Sequence, residues 1–215
     1  GGDITFKTYG ALGDGSTDDT TAINNALASS YTKIRCSSGT YIVTALTVST
    51  KKEIILDPGC IIKEKNSGNS TTITFSATAD GSRLFGGEID GNRANQTSGT
   101  AIKVQSDDTT IEGVYIHDPY TAGINVTAAD RVRLLKNRIV DSNQYGIYAV
   151  ASTRDSYDIL IDGNYINSES IGSTGNQGIM VFGGFYASDG TNTSGGLGYI
   201  SGTTMTITTA PTSGA

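Results

Sequence analysis

The segments IHDPYTAGINV (residues 116–126) and IVDSNQYGIYA (residues 139–149) follow the same pattern at an interval of 23 residues. Isoleucine, aspartate and glycine recur at matching positions, namely Ile116 and Ile139, Asp118 and Asp141, and Gly123 and Gly146. A repeat at this interval is typical of a chain that stacks one structural unit many times.

Four hexads extend the repeat, and each has an aliphatic residue first and an isoleucine sixth: LFGGEI (84–89), IEGVYI (111–116), LLKNRI (134–139) and IDGNYI (161–166). A second short apolar segment follows each hexad, at residues 102–104, 124–126, 147–149 and 179–181. Short strands at a period of 20 to 30 residues, with no helix between them, predict a β-solenoid. The sequence lacks the Leu/Asn consensus of leucine-rich repeats, and a β-sandwich would not contain an in-register repeat.

Stacking explains the pattern, because a coil can bury its apolar side only against the next coil, about 4.8 Å away. We therefore predict parallel coils over residues 34–183. The sixth residues of the hexads should form one internal ladder, made of Ile89, Ile116, Ile139 and Ile166.

Residues 1–33 form a separate N-terminal segment with one helix signal. Thr17, Asp18 and Asp19 are N-cap candidates, and Ile23 and Leu27 follow at helical spacing. We predict a helix over residues 19–29 that covers the open edge of the first coil. Asp18 and Asp19 also resemble an acid pair, but capping is the simpler explanation.

Residues 184–215 lose the aliphatic register and become rich in Gly, Thr and Ser. They are predicted to form a loop and hairpin outside the solenoid or the start of a truncated C-terminal module, so we expect the natural chain to continue. Asp107 and Asp108, in QSDDTT, are interpreted as a turn between strands.

Composition excludes two classes of partner. The net charge is −6 and no block of Lys or Arg is present, which argues against nucleic acid. No apolar run reaches the roughly 18 residues of a membrane span. Cys36 and Cys60 are interpreted as buried thiols, because two cysteines cannot staple a fold of this size.

The N-terminal motif resembles a known family. YGALGDGSTDDTTAINNALASS (residues 9–30), followed by SSGTYIV (37–43), is similar to the N-terminal signature of the pectate-lyase-like right-handed parallel β-helix superfamily. The resemblance implies an all-β, right-handed parallel β-helix with a short N-terminal capping helix. Its members include pectin and alginate lyases, uronan epimerases, glycoside hydrolases and bacteriophage tailspikes.

The catalytic motifs of those enzymes have no counterpart here. IHDPYT has Asp118-Pro119 but continues with Tyr120, unlike the Asp-Pro-His-Glu run of alginate epimerases. A Gly-His-Gly with Arg-x-Lys, and the calcium carboxylates and arginine of pectate lyases, are not found. No catalytic residue is carried over, and no cofactor or metal is expected. GYISGTTMTITTAPTSGA (198–215) resembles Thr-rich stretches of viral tail proteins, which favours a phage protein.

The register identifies an outward face, because the neighbours of each inward isoleucine point out. One outward column is Glu88, Tyr115, Arg138 and Tyr165, and the other is Asp90, His117, Val140 and Asn167. The candidate substrate-binding residues on this face are Glu88, Asp90, Tyr115, His117, Arg138 and Tyr165. They offer aromatic rings for pyranose faces, donors and acceptors for hydroxyls, and acid–base groups.

Less specific interpretations stay open for the same residues. Exposed solenoid faces are generally polar, and a trimer contact would use this face equally well. Asp118 stacked over Asp141 suggests a metal site, although turn carboxylates that bond their own backbone are the simpler explanation.

The leading functional hypothesis is a phage tailspike or tail-fibre segment, trimeric and located in the virion tail, that binds a bacterial surface polysaccharide and in one version degrades it. The alternative is a secreted bacterial polysaccharide lyase, glycoside hydrolase or epimerase whose active site lies in further C-terminal coils. A third hypothesis is a non-catalytic stalk or adhesin.

Overall fold

Apolar residues at every second position give each short strand one buried side, and the strands stack in register. The computed structural model describes residues 4–150, 158–167, 177–182, 186–187 and 204–208. Their strands form three sheets, A, B and C, which wrap around one apolar core as a parallel β-helix. The predicted all-β solenoid is confirmed.

Each coil contributes one strand to each sheet in turn. The parallel strands of sheet A are Lys33–Cys36, Glu53–Leu56, Arg83–Phe85, Thr110–Glu112, Arg133–Leu135 and Ile159–Asp162. Those of sheet B are Asp14–Asp18, Gly39–Val43, Cys60–Glu64, Glu88–Asp90, Tyr115–His117, Arg138–Val140 and Tyr165–Asn167. Those of sheet C are Leu46–Val48, Ile73–Phe75, Ile102–Val104, Ala122–Thr127, Tyr145–Val150 and Gln177–Phe182.

The predicted isoleucine ladder runs through sheet B. Ile116 pairs with Ile89 on one side and Ile139 on the other, and Ile139 pairs with Ile166. The first three are fully buried, and Ile166 is partly buried against the core. The ladder fixes which residues of sheet B point to solvent.

The corner between sheets A and B is a tight turn. The third residue of each hexad lies at this turn and has a left-handed backbone. That position is Gly86, Gly113, Lys136 and Gly163 in successive coils, with φ between 53° and 67°. The next residue is asparagine in the last two of these coils, and the buried Asn137 donates a hydrogen bond to the Ile111 carbonyl (3.0 Å). Buried amides that pair with the neighbouring coil hold the corner in register.

The single α-helix among the described residues, Thr20–Ala28, covers the edge strand Leu46–Val48. Ile23 and Leu27 are fully buried, as predicted. Asn24 also satisfies the edge backbone, because its side chain accepts from the Thr47 amide (3.0 Å) and donates to the Ala45 carbonyl (3.3 Å). The helix therefore protects the sheet edge with both apolar and polar contacts.

The capping geometry differs from the expectation. Asp19 is the N-cap residue but makes no capping bond; its carboxylate accepts from the amides of Leu12 (2.7 Å) and Gly13 (3.0 Å). Asp18 accepts from the Thr20 amide instead (3.1 Å). The Asp pair thus anchors both the helix start and the preceding turn.

The interpretation of Cys36 and Cys60 as free thiols is wrong, because the two residues form a disulfide bond. Cys36 ends a strand of sheet A, and Cys60 begins a strand of sheet B in the next coil. Their separation of 24 residues is about one coil, which brings their Cα atoms to 5.9 Å. A cross-link of this span contributes on the order of 3 kcal/mol in the chain-entropy description.

One strand at the start of the solenoid was not predicted from the sequence, and two further strands lie in the 184–215 segment, where a loop and hairpin was one expectation. Asp14–Asp18 adds a first strand to sheet B. Near the other end, Thr204–Thr208 pairs antiparallel with Ile159–Asp162 and with Tyr186–Ala187. The rest of the 184–215 segment lies outside the described residues. Within the described part of the chain, no helix has the length and apolarity to cross a membrane.

Replacing both Ile23 and Leu27 by Asp should detach the helix from the first coil. Two buried side chains are lost and two charges face the core, so we expect the free energy of unfolding to fall by more than about 4 kcal/mol. Thermal unfolding and sedimentation would show a lower midpoint and aggregation through the uncovered edge.

The matched control is Thr21→Asp with Asn25→Asp, which adds the same charge on the exposed side of the helix. Equal behaviour of the two double variants would contradict the capping role.

Candidate functional site

The candidate face is the outer side of sheet B, where three-residue strands present the two neighbours of each buried isoleucine. Tyr115 pairs in register with Glu88 and Arg138, and Arg138 pairs with Tyr165. The other column follows the same register through Asp90, His117, Val140 and Asn167. The structure therefore brings the six predicted residues together on one surface.

One residue of the second column departs from the expectation. Val140 is at an outward position but is only 7 % exposed. Val140 therefore separates the polar side chains of Asp90 and His117, which lie next to Glu88 and Tyr115, from the exposed Asn167.

Arg138 lies between two tyrosines of the first column. Its Cζ atom is 4.9 Å from the ring centroid of Tyr115 and 5.5 Å from that of Tyr165. Both distances are within the range of cation–π attraction. Tyr115 also stacks on His117, with centroids 5.0 Å apart, whereas Tyr165 is 54 % exposed. The aromatic surface available to a ligand is therefore mainly that of Tyr165.

His117 is held between carboxylates on both ring nitrogens. Nδ1 is 2.9 Å from Asp118 Oδ2, and Nε2 is 3.1 Å from Glu88 Oε1. Burial of the ring opposes protonation, but the hydrogen bonds to Asp118 and Glu88 and the charge of Asp90 outweigh it and raise the pKa of His117. The geometry favours an imidazolium that donates to both carboxylates.

Two further cations complete this network. Lys63 Nζ is 2.6 Å from Asp90 Oδ2, and Arg93 Nη2 is 3.5 Å from Asp118 Oδ1. Sequence reasoning missed both. Lys63 had a signal, because it pairs in register with Asp90 and continues the outward column by one coil. Arg93 lies in a short 3₁₀ turn, Arg93–Asn95, where no periodic signal exists.

The ligand atoms of Asp90, His117 and Asp118 lie within 4.8 Å of one another, a spacing that suits a metal ion. Both carboxylates, however, already contact protein cations, Lys63 and Arg93. A metal ion would have to displace them, so the donor set does not favour metal binding.

Asp118 does not form the self-capping turn that the sequence suggested. Its carboxylate contacts His117 and Arg93, while its backbone adopts φ 50°, and Asp141 has φ 56° at the equivalent position of the next coil. Left-handed backbone is what Asp tolerates better than most residues. The two aspartates thus share a turn geometry.

A depression of about 340 Å³ adjoins the face on the side of the first coils, with Gly15, Ser16, Asp18, Ile42, Lys63 and Lys65 among its lining residues. Lys63 belongs to both surfaces. Lys65 is paired with Asp18 at 2.9 Å. The face and the depression form one continuous polar strip along sheet B.

Comparison with known proteins identifies the fold. Residues 7–208 match the family described as right-handed β-helix region. The surface adhesin PfbA of Streptococcus pneumoniae is 20 % identical, with a TM-score of 0.65 over 83 % of this chain and 52 % of the adhesin. ORF18 of Geobacillus virus E2 is 18 % identical, with a TM-score of 0.60 over 80 % of this chain and 43 % of that protein.

A third similar structure is the A-module of the mannuronan C-5 epimerase AlgE4 of Azotobacter vinelandii. It is 18 % identical, with a TM-score of 0.55 over 86 % of this chain and 65 % of the module. The chain spans about half the length of the adhesin structure that it matches. No curated protein gives a significant match. At these identities the similarity establishes the fold, including its right-handed coil.

The pH dependence of stability should report the His117 network. Because the pKa of His117 is raised in the folded state, its contribution is fully present below about pH 6.5, the unfolded value, and is lost as pH rises through the folded pKa. His117→Gln should therefore lower the free energy of unfolding by about 1 kcal/mol at pH 6 and by less at pH 9.

His117 is the sole histidine of the chain, so NMR titration of its imidazole measures the pKa directly. A value at or below 6.5 would contradict the network.

Proposed function

The chain belongs to the right-handed β-helix family, and on that premise we propose that it binds a bacterial surface polysaccharide along the outer face of sheet B. The observation that carries the proposal is the stack of Tyr115, Arg138 and Tyr165, which presents an exposed ring and a guanidinium on a regular surface. Stacked strands repeat such groups every 4.8 Å or so, which suits an extended polymer.

Stacking and hydroxyl hydrogen bonding would share the binding. The exposed ring of Tyr165 offers an apolar surface on which the apolar face of a pyranose can stack. Three strands away on the same face, Glu88 and Asp90 keep carboxylate lone pairs, because a carboxylate can accept more bonds than His117 and Lys63 provide. The face therefore combines one aromatic contact with several hydrogen-bond acceptors.

The same geometry supports binding more than catalysis on this face. A general acid or base must reach a proton of the substrate, whereas both nitrogens of His117 already face protein carboxylates. We therefore propose a binding surface here. If the polymer is degraded, the lyase or hydrolase site lies elsewhere on the chain.

Within this function we propose a tailspike or tail-fibre segment that acts as a trimer in a virion tail. The Thr-rich stretch after residue 198 supports a tail protein, and ORF18 of a Geobacillus virus gives a viral example of the fold. The secreted-enzyme alternative finds a parallel in the mannuronan epimerase, and the stalk or adhesin alternative in PfbA.

The Cys36–Cys60 bond supports a working location outside a reducing cytosol. A virion in the medium and a secreted protein both meet that condition. Molecular mass in solution separates the proposals, because the tailspike proposal requires a trimer.

Tyr165→Ala should weaken retention on immobilised surface polysaccharide about fivefold, because roughly 1 kcal/mol of stacking is lost. Tyr115→Ala should act mainly through Arg138 and cost less, since its ring is already covered by that guanidinium and by His117. Affinity electrophoresis against polysaccharides extracted from a panel of bacterial strains measures both.

Tyr31→Ala is the matched control, because Tyr31 is 51 % exposed but lies outside sheet B. Mass measurement of each variant separates lost binding from lost assembly. Unchanged retention of a correctly assembled variant lacking the side chains of Tyr115, Arg138 and Tyr165 would remove this face from the proposed function.

A further inference from the structure

The charges on the candidate face are balanced, with one exception. Lys63 is paired with Asp90, Arg93 with Asp118, and His117 with Glu88 and Asp118. Arg138 is exposed, and its guanidinium makes no ion pair or hydrogen bond with any residue in the described part of the chain. No carboxylate among the described residues therefore compensates its positive charge.

The stack prepares Arg138 to bind an anion. The guanidinium lies over the rings of Tyr115 and Tyr165, and none of its N–H groups donates to a described residue, so these donors remain for a ligand. A planar guanidinium held in place loses little freedom when it donates two parallel bonds to a carboxylate.

A second cation lies in the same coil at a strained position. Lys136 has φ 53° at the corner where the equivalent residue is Gly86, Gly113 or Gly163. A side chain in left-handed backbone carries an energetic cost that glycine avoids. Lys136 is exposed and has no ion pair among the described residues. Among the four hexad coils, the one without glycine at this corner is thus the coil that contains Arg138.

We propose that Arg138 and Lys136 form an anion-binding subsite, and that the polysaccharide bound by this face carries uronic-acid carboxylates. This inference rests on the proposed function and narrows its substrate class. The net charge of −6 would repel a polyanion at long range, so recognition of an acidic polymer requires a local pair of cations such as this one.

A phosphate group would offer the same oxyanion acceptors as a carboxylate, and the probes are chosen to separate these two anions. The ¹⁵N-labelled 215-residue chain is titrated with glucuronate, glucose 6-phosphate and glucose, and the Arg138 Nε–H signal is followed by NMR. We expect the signal to move with millimolar glucuronate and to stay unchanged with glucose. A response to glucose 6-phosphate alone would overturn the carboxylate assignment, and no response to either anion would overturn the subsite.

Substitutions test each cation separately. Arg138→Gln should weaken glucuronate binding at least tenfold, the loss expected for a charge-assisted hydrogen-bond pair. Arg133→Gln removes an exposed arginine from sheet A of the same coil and is the matched control. Equal losses in the two variants would mean that only net charge matters, and the subsite would be wrong.

Lys136→Gly should change stability and binding in opposite directions. The glycine removes the left-handed strain, so the unfolding temperature should rise, while glucuronate binding should weaken about threefold. A higher unfolding temperature with unchanged binding would assign Lys136 no role in the subsite.

Carboxyl reduction of a retained polysaccharide connects the subsite to the proposed function. Converting its uronic acids to neutral sugars should reduce retention about tenfold and should remove the dependence of retention on salt. Unchanged retention would overturn this inference and leave the proposed function standing. Failure of every polysaccharide to be retained would contradict the proposed function, while the glucuronate titration would still decide the subsite.

Discussion

The constraint on which this structure depends is that no coil can bury its own apolar side. Each isoleucine of the sheet B ladder is covered by the isoleucines of the coils before and after it, at positions such as Ile89, Ile116 and Ile139. A shift of register by one residue would turn the whole ladder to solvent. The constraint also explains why the first coil needs a helix over its exposed edge, since that coil has a neighbour on one side only.

That constraint made the solenoid predictable from sequence. A hexad that keeps an aliphatic residue first and an isoleucine sixth specifies both which residues are inside and which face their neighbours share, so the columns containing Tyr115 and His117 followed directly. Features that break the period were not predictable in this way. Arg93 reaches the face from an irregular turn, and the Cys36–Cys60 bond joins non-equivalent positions of two coils. The role of Asp19 in the preceding turn was not predictable either, because its partners, the amides of Leu12 and Gly13, lie outside the repeat.

Charge pairing divides the candidate face into two regions that differ in their ability to bind a charged ligand. Around His117 the carboxylates and cations satisfy one another, and dismantling such partly buried pairs for a ligand or a metal ion would be costly. Around Arg138 the described residues supply aromatic contacts and no carboxylate, so they position the charge without neutralising it. Positioning without neutralisation is the arrangement expected of a group whose partner comes from outside the molecule.

The alternation of inward and outward residues lets such a region arise without changing the fold. The isoleucines carry the stacking energy, so the outward neighbours can vary from coil to coil while the register persists. Similar solved structures accordingly include a surface adhesin, a viral protein and an epimerase at identities of 20 % or less. Lys136 marks the limit of that freedom, because the corner between sheets A and B constrains the backbone itself and has glycine in the other three hexads. Lys136 departs from the repeat at a constrained position, two residues before Arg138, which has no carboxylate partner among the described residues. This combination is a stronger sign of function than the polar character of the face alone.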